Sequence, residues 1–234
     1  MPSEPLIFVE VALVDSLSDN INYLLKKDTD SIQTESINTA IFYSISNTQK
    51  GLAGISLGNF LIKTVVEKLT NEIKELKHFA TLSPVPGFKK WLEAKLLSED
   101  TVLKSAEDDF IKEHFNCQNS KEKLAELLQE DWHNNEETAT TLKPIILRLC
   151  ASYLVTERKG SKALNPVMNF HLTNGARLQR INWLADTSPK GIKQSCGIMV
   201  NYYYNLSDIE KNHETYVSSC KIATTKDVKS LLSK

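Results

Sequence analysis

The chain has 234 residues, of which 41% are hydrophobic and 24% are charged, so it can bury a substantial core and is not intrinsically disordered. Its formal net charge is -1, and no run of lysine and arginine interleaves with aromatic residues, which argues against a nucleic-acid partner. No apolar stretch approaches the ~18 residues that a membrane-spanning helix needs, so we expect no membrane partner either.

The first part of the sequence predicts two β-strands. An apolar run rich in β-branched residues at positions 6–14 is typical of a buried strand. Ser18 or Asp19 can cap a short helix after this strand. A second run at positions 40–46, Ala-Ile-Phe-Tyr-Ser-Ile-Ser, predicts another strand.

A long helix and a third strand are predicted next. The apolar positions after the second strand recur at helical spacing. They are Leu57, Leu61, Val65, Leu69, Ile73 and Leu76. Residues 78–82 then predict a strand. It ends at the segment Ser83-Pro-Val-Pro-Gly87, because proline cannot donate a hydrogen bond to a neighbouring strand.

The middle of the chain, about residues 88–156, is predicted to be a helical insertion. Its helical patterns cover residues 88–97, about 106–115, 121–130 and 142–155. In the last of these, Pro144 falls in the first turn, where a helix tolerates proline. The many acidic residues of this region are typical of solvated helix faces.

Cap and stop residues bracket a two-turn helix at positions 166–173. Asn165 is a helix cap and is followed by Pro166 at the first helical position, where the missing N–H costs nothing. Asn174 and Gly175 then form a helix stop. The helix is therefore expected to end two residues after His171.

The last predicted elements return to strands. Positions 177–185 and 197–204 are strand-like and flank a short helix that begins at Ser188. Strands and helices therefore alternate on both sides of the insertion, which predicts the α/β class, with residues 5–234 forming one domain. The four cysteines are widely spaced and form no C-x-x-C pair. We therefore expect no metal site and no disulfide framework, and an intracellular, reducing compartment is favoured.

A glycine-rich turn joins the second predicted strand to the long helix. Gly51, Gly54 and Gly58 let the backbone approach a ligand closely, and free N–H groups at the start of a helix favour an anion. The pattern is neither a Walker loop nor a Rossmann motif. It resembles the turn with which the N-acetyltransferase-like fold holds the pyrophosphate of coenzyme A, although the glycine spacing differs. A purely structural glycine turn is the alternative.

Four segments of the chain carry a recognisable pattern. They are the strand at positions 40–46 together with Thr81-Leu-Ser-Pro-Val-Pro-Gly-Phe88, Asn165-Pro-Val-Met-Asn-Phe-His-Leu-Thr-Asn-Gly-Ala176 and Arg180-Ile-Asn-Trp-Leu-Ala-Asp186. They resemble the signature stretches of the malonyl-CoA decarboxylase family and keep that family's order. The resemblance runs from about Pro5 to at least Tyr204. It implies an α/β, N-acetyltransferase-like catalytic domain, with a mixed sheet and a helical insertion, that converts malonyl-CoA to acetyl-CoA and carbon dioxide.

The resemblance also implies which residues form the site. Ser83 and His171 map onto the catalytic residues of the family. The substrate-binding loop maps onto Ala53, Gly54, Ile55, Ser56, Leu57, Gly58 and Asn59. Malonyl-CoA and acetyl-CoA are the implied ligands, and no cofactor is implied. The helical N-terminal domain through which family members self-associate is expected to be absent here, which would weaken a homo-oligomer.

The residue types suit this reaction. A histidine that titrates near neutrality can deliver a proton to the α-carbon, and Ser83, at a strand end stiffened by prolines, can hydrogen-bond the carboxylate or relay a proton. The sequence leaves open which of the two donates the proton. Asn165, Asn169 and Tyr203 are further candidates for lining the pocket.

Two other functions are compatible with the same sequence. An acyl-CoA-dependent N-acetyltransferase would share the fold and would need a base for an acceptor amine. An isolated domain that folds without activity is the second alternative. The remaining histidines are expected to be surface or packing residues: His78 in a strand, His114 and His133 in the insertion, and His213 in a C-terminal loop.

Overall fold

The computed structural model of the chain describes residues 7–25, 37–47 and 58–233. Its strands are β1 (Ile7–Val14), β2 (Thr39–Asn47), β3 (His78–Thr81), β4 (Ser83–Pro84), β5 (Arg158–Lys159), β6 (Lys162–Ala163), β7 (Arg177–Asn182) and β8 (Met199–Tyr203). Six of them form one mixed sheet in the order β1-β2-β3-β8-β4, with β7 also paired to β8, while β5 and β6 form a separate hairpin. The predicted α/β class with a mixed sheet is confirmed.

The sheet divides at the end of β3. β2 pairs with β1 along its whole length, but it pairs in parallel with β3 only from Thr39 to Phe42. The N–H of Leu82 still donates to the carbonyl of Phe42 at 3.0 Å. Beyond that point β2 continues to Asn47 beside β1, whereas the chain at Ser83 turns to pair with β8. The division therefore opens where Ser83 lies.

Helices surround the sheet. They are α1 (Ile21–Leu25), α2 (Gly58–Glu72), α3 (Phe88–Leu97), α4 (Ser105–His114), α5 (Ser120–Leu127), α6 (Glu136–Val155), α7 (Pro166–Thr173), α8 (Pro189–Ser195), α9 (Ile209–Ser219) and α10 (Lys226–Ser233). From residue 88 to residue 155 the regular elements are α3 to α6 and the 3-10 helix Trp132–Asn134, and none of them pairs with the sheet. None of the described helices is both long and apolar enough to cross a membrane.

Several predicted element bounds differ from the observed ones, and for two of them the structure shows the reason. α6 begins at Glu136 and not at residue 142, because the Asn135 side chain accepts the N–H of Thr138 at 2.9 Å and caps the helix there. Pro144 is consequently inside the helix, on an exposed face, and not in its first turn. The strand predicted to reach residue 185 ends at Asn182, since Leu184 adopts a φ of 45°, which a strand does not accommodate.

The two faces of the sheet carry different cores. Because side chains alternate along a strand, β8 and the residue after it direct Tyr202 and Tyr204 to one face and Met199 and Tyr203 to the other. Tyr202 and Tyr204 belong to the large apolar cluster, which also contains residues of α3, α6 and α7. Met199 packs with a smaller cluster around Leu82. The face of the large cluster is the one that carries the site.

Candidate active site

Ser83 occupies a nearly enclosed position at the division of the sheet. It lies in β4, opposite Val200 of β8, and is 7% exposed. Its hydroxyl donates to Thr81 Oγ1 at 2.9 Å. Its Oγ also lies 3.3 Å from Nε2 of His171, although 88 positions separate the two residues in sequence. The structure therefore brings the two residues that were expected to be catalytic into direct contact.

Helix α7 is placed by its own cap and stop. The Asn165 side chain accepts the N–H of Met168 at 2.8 Å and donates to the carbonyl of Pro86 at 2.9 Å, which ties the start of α7 to the segment after Ser83. The helix ends before Gly175, whose φ is 78° and where a Cβ would lie 2.2 Å from the carbonyl oxygen of Ile209. Only glycine fits this stop, and the predicted bounds of α7 are confirmed.

His171 is held on three sides. Its Nδ1 lies 2.7 Å from the hydroxyl of Tyr204, and its Nε2 faces Ser83. The ring of Tyr202 stacks on the imidazole, with the ring centroids 4.4 Å apart and an angle of 22° between the planes. His171 is 3% exposed. The imidazole therefore lies over two tyrosines at the end of β8.

The described groups around Ser83 are electrically neutral. Burial lowers the pKa of His171 to about 3, so the imidazole is uncharged near neutral pH. Burial raises the pKa values of Tyr202 and Tyr204 well above the usual value for a phenol. The expectation that His171 titrates near neutrality is wrong for this state. Among the described residues, its hydrogen-bond partners are hydroxyl groups and no carboxylate offsets the cost of burying an imidazolium.

Three neighbours of Ser83 and His171 were not identified from the sequence: Thr81, Tyr202 and Tyr204. Thr81 begins one of the recognisable segments and the tyrosines lie outside all four, and residue type alone did not distinguish these residues from packing residues. The spacing of Tyr202 and Tyr204 was the available signal, because two residues apart on a strand place both rings on one face.

The three further candidates for lining the pocket form hydrogen bonds with other parts of the chain. Asn165 is the cap of α7. Asn169 accepts a hydrogen bond from the hydroxyl of Tyr216 at 2.9 Å. Tyr203 lies on the opposite face of β8, where its hydroxyl is 2.7 Å from Nδ1 of His78. None of the three is hydrogen-bonded to Ser83 or His171 in the described part of the chain.

One of the remaining histidines lies near the site. His213 belongs to α9 and not to a loop, and its Nδ1 donates to the carbonyl of Thr173, at the end of the helix that carries His171, at 2.5 Å. His78 and His114 are exposed and His133 is half-buried. A cavity of about 400 Å³ lies beside His133 and Lys193, and neither Ser83 nor His171 lines it.

The predicted substrate-binding loop lies mostly outside the described residues. Ala53, Gly54, Ile55, Ser56 and Leu57 are not described, while Gly58 and Asn59 form the start of α2. Among the residues that are described, no group of three or more His, Cys, Asp or Glu side chains converges as a metal site would require. The four cysteines are all free thiols.

Comparison with known proteins places this geometry in a family. The family model described as malonyl-CoA decarboxylase C-terminal domain matches residues 1–234. The chain belongs to the malonyl-CoA decarboxylase family. It is 43% identical over 243 residues to the mitochondrial malonyl-CoA decarboxylase of the goose Anser anser anser, covering 100% of this chain and 48% of that protein. The corresponding protein of Rattus norvegicus is 41% identical over 240 residues, covering 99% of this chain and 49% of that protein.

Solved structures of malonyl-CoA decarboxylases have the same fold as this chain. The enzyme from Rhodopseudomonas palustris superposes with a TM-score of 0.86 at 46% identity, covering 97% of this chain and 49% of that chain. The one from Cupriavidus metallidurans gives a TM-score of 0.83 at 38% identity, covering 99% of this chain and 56% of that chain. The resemblance inferred from the sequence is confirmed, as is the N-acetyltransferase-like fold class. The chain spans about half the length of these relatives.

Proposed function

We propose that this chain is a carbon–carbon lyase that converts malonyl-CoA to acetyl-CoA and carbon dioxide. The observation that carries the proposal is the contact between Ser83 and His171 in a buried, neutral site, in a chain of the malonyl-CoA decarboxylase family. We further propose that residues 5–234 form the catalytic domain and that it works inside the cell. The names of the goose and rat relatives point to mitochondria.

The substrate supplies the electron sink for this reaction. When the bond between the α-carbon and the carboxylate breaks, its electron pair moves into the thioester carbonyl, carbon dioxide leaves, and an enolate remains. One proton must then reach the α-carbon to give acetyl-CoA. The protein therefore has to orient the carboxylate, stabilise the enolate oxygen and deliver a proton, and the chemistry requires no cofactor.

The pair Ser83 and His171 can deliver that proton. His171 is neutral in the free site, but a bound carboxylate brings a negative charge next to it and favours the imidazolium. The imidazole takes up a proton from solvent as the substrate binds, and this proton can then pass from Nε2 to Ser83 Oγ as the serine proton passes to the α-carbon. Ser83 would thus be the direct donor, and His171 would replace the proton that Ser83 gives up.

The division of the sheet offers a path for the coenzyme A arm. β2 and β4 diverge beside Ser83, and the chain that follows β2 leads to the start of α2 at Gly58. Free N–H groups at a helix start favour phosphate. We therefore propose that residues 53–59 hold the pyrophosphate. Gly54→Val should raise the KM for malonyl-CoA at least tenfold in a variant whose circular dichroism is unchanged. An unchanged KM would contradict the proposal that residues 53–59 hold the pyrophosphate.

The decisive test measures carbon dioxide release from malonyl-CoA by the purified chain in the absence of any amine. His171→Asn keeps a hydrogen-bonding side chain but cannot carry a proton, so kcat should fall by roughly 10²–10⁴-fold with little change in KM. The kcat of Ser83→Ala should fall by a comparable factor, because Ser83 donates the proton directly in this mechanism. His114→Asn, at an exposed histidine of the insertion, is the matched control and should keep full turnover.

Two outcomes would contradict the proposal. Full turnover in His171→Asn would exclude the proton relay. Acetyl transfer from acetyl-CoA to an added amine, without carbon dioxide release from malonyl-CoA, would assign the chain to the N-acetyltransferases instead. Measuring molecular mass on the same sample would show whether the chain self-associates.

A further inference from the structure

Thr81 joins three groups at the point where the sheet divides. Its Oγ1 accepts the hydroxyl proton of Ser83 at 2.9 Å and the backbone N–H of Tyr202 at 3.2 Å. Its carbonyl accepts the side-chain amide of Asn201 at 2.8 Å. Thr81 itself is 0% exposed. A threonine at this position therefore controls the surroundings of Ser83 more directly than any other residue of β3.

The division of the sheet explains why a side chain accepts the N–H of Tyr202. β3 and β8 pair through Ala80 and Tyr203, and β4 and β8 pair again through Ser83 and Val200. Between these two pairings the chain turns from β3 into β4, and the N–H of Tyr202 takes Thr81 Oγ1 as its acceptor. A buried N–H without an acceptor is costly, so the Thr81 hydroxyl is held in one place.

A fixed Thr81 hydroxyl gives the hydrogen bonds of the site a direction. Because the Ser83 proton lies on the bond to Thr81, the Ser83 oxygen presents a lone pair to His171 Nε2. Nε2 must then carry the proton of the neutral imidazole. Nδ1 is left as an acceptor, and the Tyr204 hydroxyl, 2.7 Å away, donates to it.

We propose that Thr81 is a positioning residue that turns the Ser83 hydroxyl away from His171 and thereby keeps His171 in the Nε2–H tautomer. This inference rests on the proposed function, in which His171 passes a proton to Ser83. If the Ser83 hydroxyl pointed at Nε2 instead, Nε2 would be an acceptor in the neutral site, and the proton that charges the imidazole would have to add at Nε2 itself, where the Ser83 hydroxyl lies. Thr81 therefore sets the direction in which protons move through the pair.

The test compares Thr81→Val, which has nearly the same shape but no hydroxyl, with Thr81→Ser, which restores the hydroxyl. Thr39→Val is the matched control, since Thr39 is also a buried strand threonine but lies at the far end of β2. In Thr81→Val the kcat for carbon dioxide release should fall about tenfold with an unchanged KM, the size expected for losing one orienting hydrogen bond. Thr81→Ser should recover most of this loss, and Thr39→Val should keep the wild-type kcat.

A second readout needs no activity. The ¹⁵N chemical shifts of the His171 ring, assigned by their disappearance in His171→Asn, report the tautomer directly. The wild-type chain and Thr81→Ser should show Nε2–H, whereas Thr81→Val should shift toward Nδ1–H because the Ser83 hydroxyl is then free to donate to Nε2. An unchanged tautomer in Thr81→Val would overturn the inference, whatever its kcat.

The two readouts keep this inference separate from the proposed function. If the wild-type chain releases no carbon dioxide, the function fails while the tautomer still decides the role of Thr81. If Thr81→Val does not fold, neutron diffraction of the wild-type chain decides instead. A Ser83 deuteron directed at Thr81 Oγ1 supports the inference, and one directed at His171 Nε2 overturns it.

Discussion

Acidification should destabilise the folded chain through His171. Burial lowers its pKa to about 3 in the folded state, against 6.5 for an ordinary histidine. The unfolded chain therefore binds this proton more tightly than the folded chain does between these two values. The contribution to stability is fully present above about pH 6.5 and is lost as the pH falls toward 3. Each pH unit within this window costs about 1.36 kcal/mol. Between about pH 7.5 and pH 4.5 the loss due to this one side chain is about 3 kcal/mol.

Urea unfolding at a series of pH values measures this loss. Other groups titrate over the same range, so the quantity of interest is the difference in free energy of unfolding between the wild-type chain and His171→Asn. Asparagine does not titrate, and the difference should therefore shrink by about 3 kcal/mol as the pH falls from about 7.5 to 4.5. His114→Asn controls for the loss of an exposed histidine ring. If the free energy of unfolding changed with pH equally in the wild-type chain and in His171→Asn, His171 would not be buried as a neutral group.

Three further substitutions test other parts of the structure. Tyr202→Phe should raise the free energy of unfolding by about 1 kcal/mol, because it removes a buried hydroxyl that has no partner among the described residues. It should also keep kcat because the ring still stacks on His171. Pro144→Ala, on the exposed face of α6, should raise the free energy of unfolding measured in urea by about 1–2 kcal/mol, because it restores a helical N–H. Arg148→Ala should lower the free energy of unfolding by about 3–5 kcal/mol and lower Tm, since it leaves the nearly buried Glu107 carboxylate without its ion pair.

Local signals in the sequence were sufficient where a cap or a stop decides an element. The bounds of α7 follow from Asn165, Pro166 and Gly175, and α3 begins directly after Gly87, as predicted. The start of α6 was missed because Asn135 was not recognised as its cap. Proline inside that helix then looked unacceptable, although an exposed position leaves room for its ring.

Long-range arrangement could not be obtained in the same way. The division of the sheet depends on which strands pair and where the pairing stops, and neither is a property of any one segment. Tyr204 lies 33 positions after His171 and reaches its Nδ1 only because β8 runs beneath α7. The lowered pKa of His171 has the same origin, since it reflects burial by residues that are distant in the sequence.

A neutral site suits a substrate that brings its own charge. In the reaction that we propose, malonyl-CoA enters with a full negative charge on its carboxylate, and this charge moves to the thioester oxygen as neutral carbon dioxide departs. A lysine or arginine paired with the carboxylate would stabilise the starting state and keep its charge throughout, whereas an imidazolium loses its charge when it passes on its proton. In the described part of the chain, the side chains of Ser83 and His171 form hydrogen bonds only with each other and with the hydroxyls of Thr81 and Tyr204. Such a site holds the carboxylate weakly, removes water from it, and lets the imidazole become charged as the substrate binds.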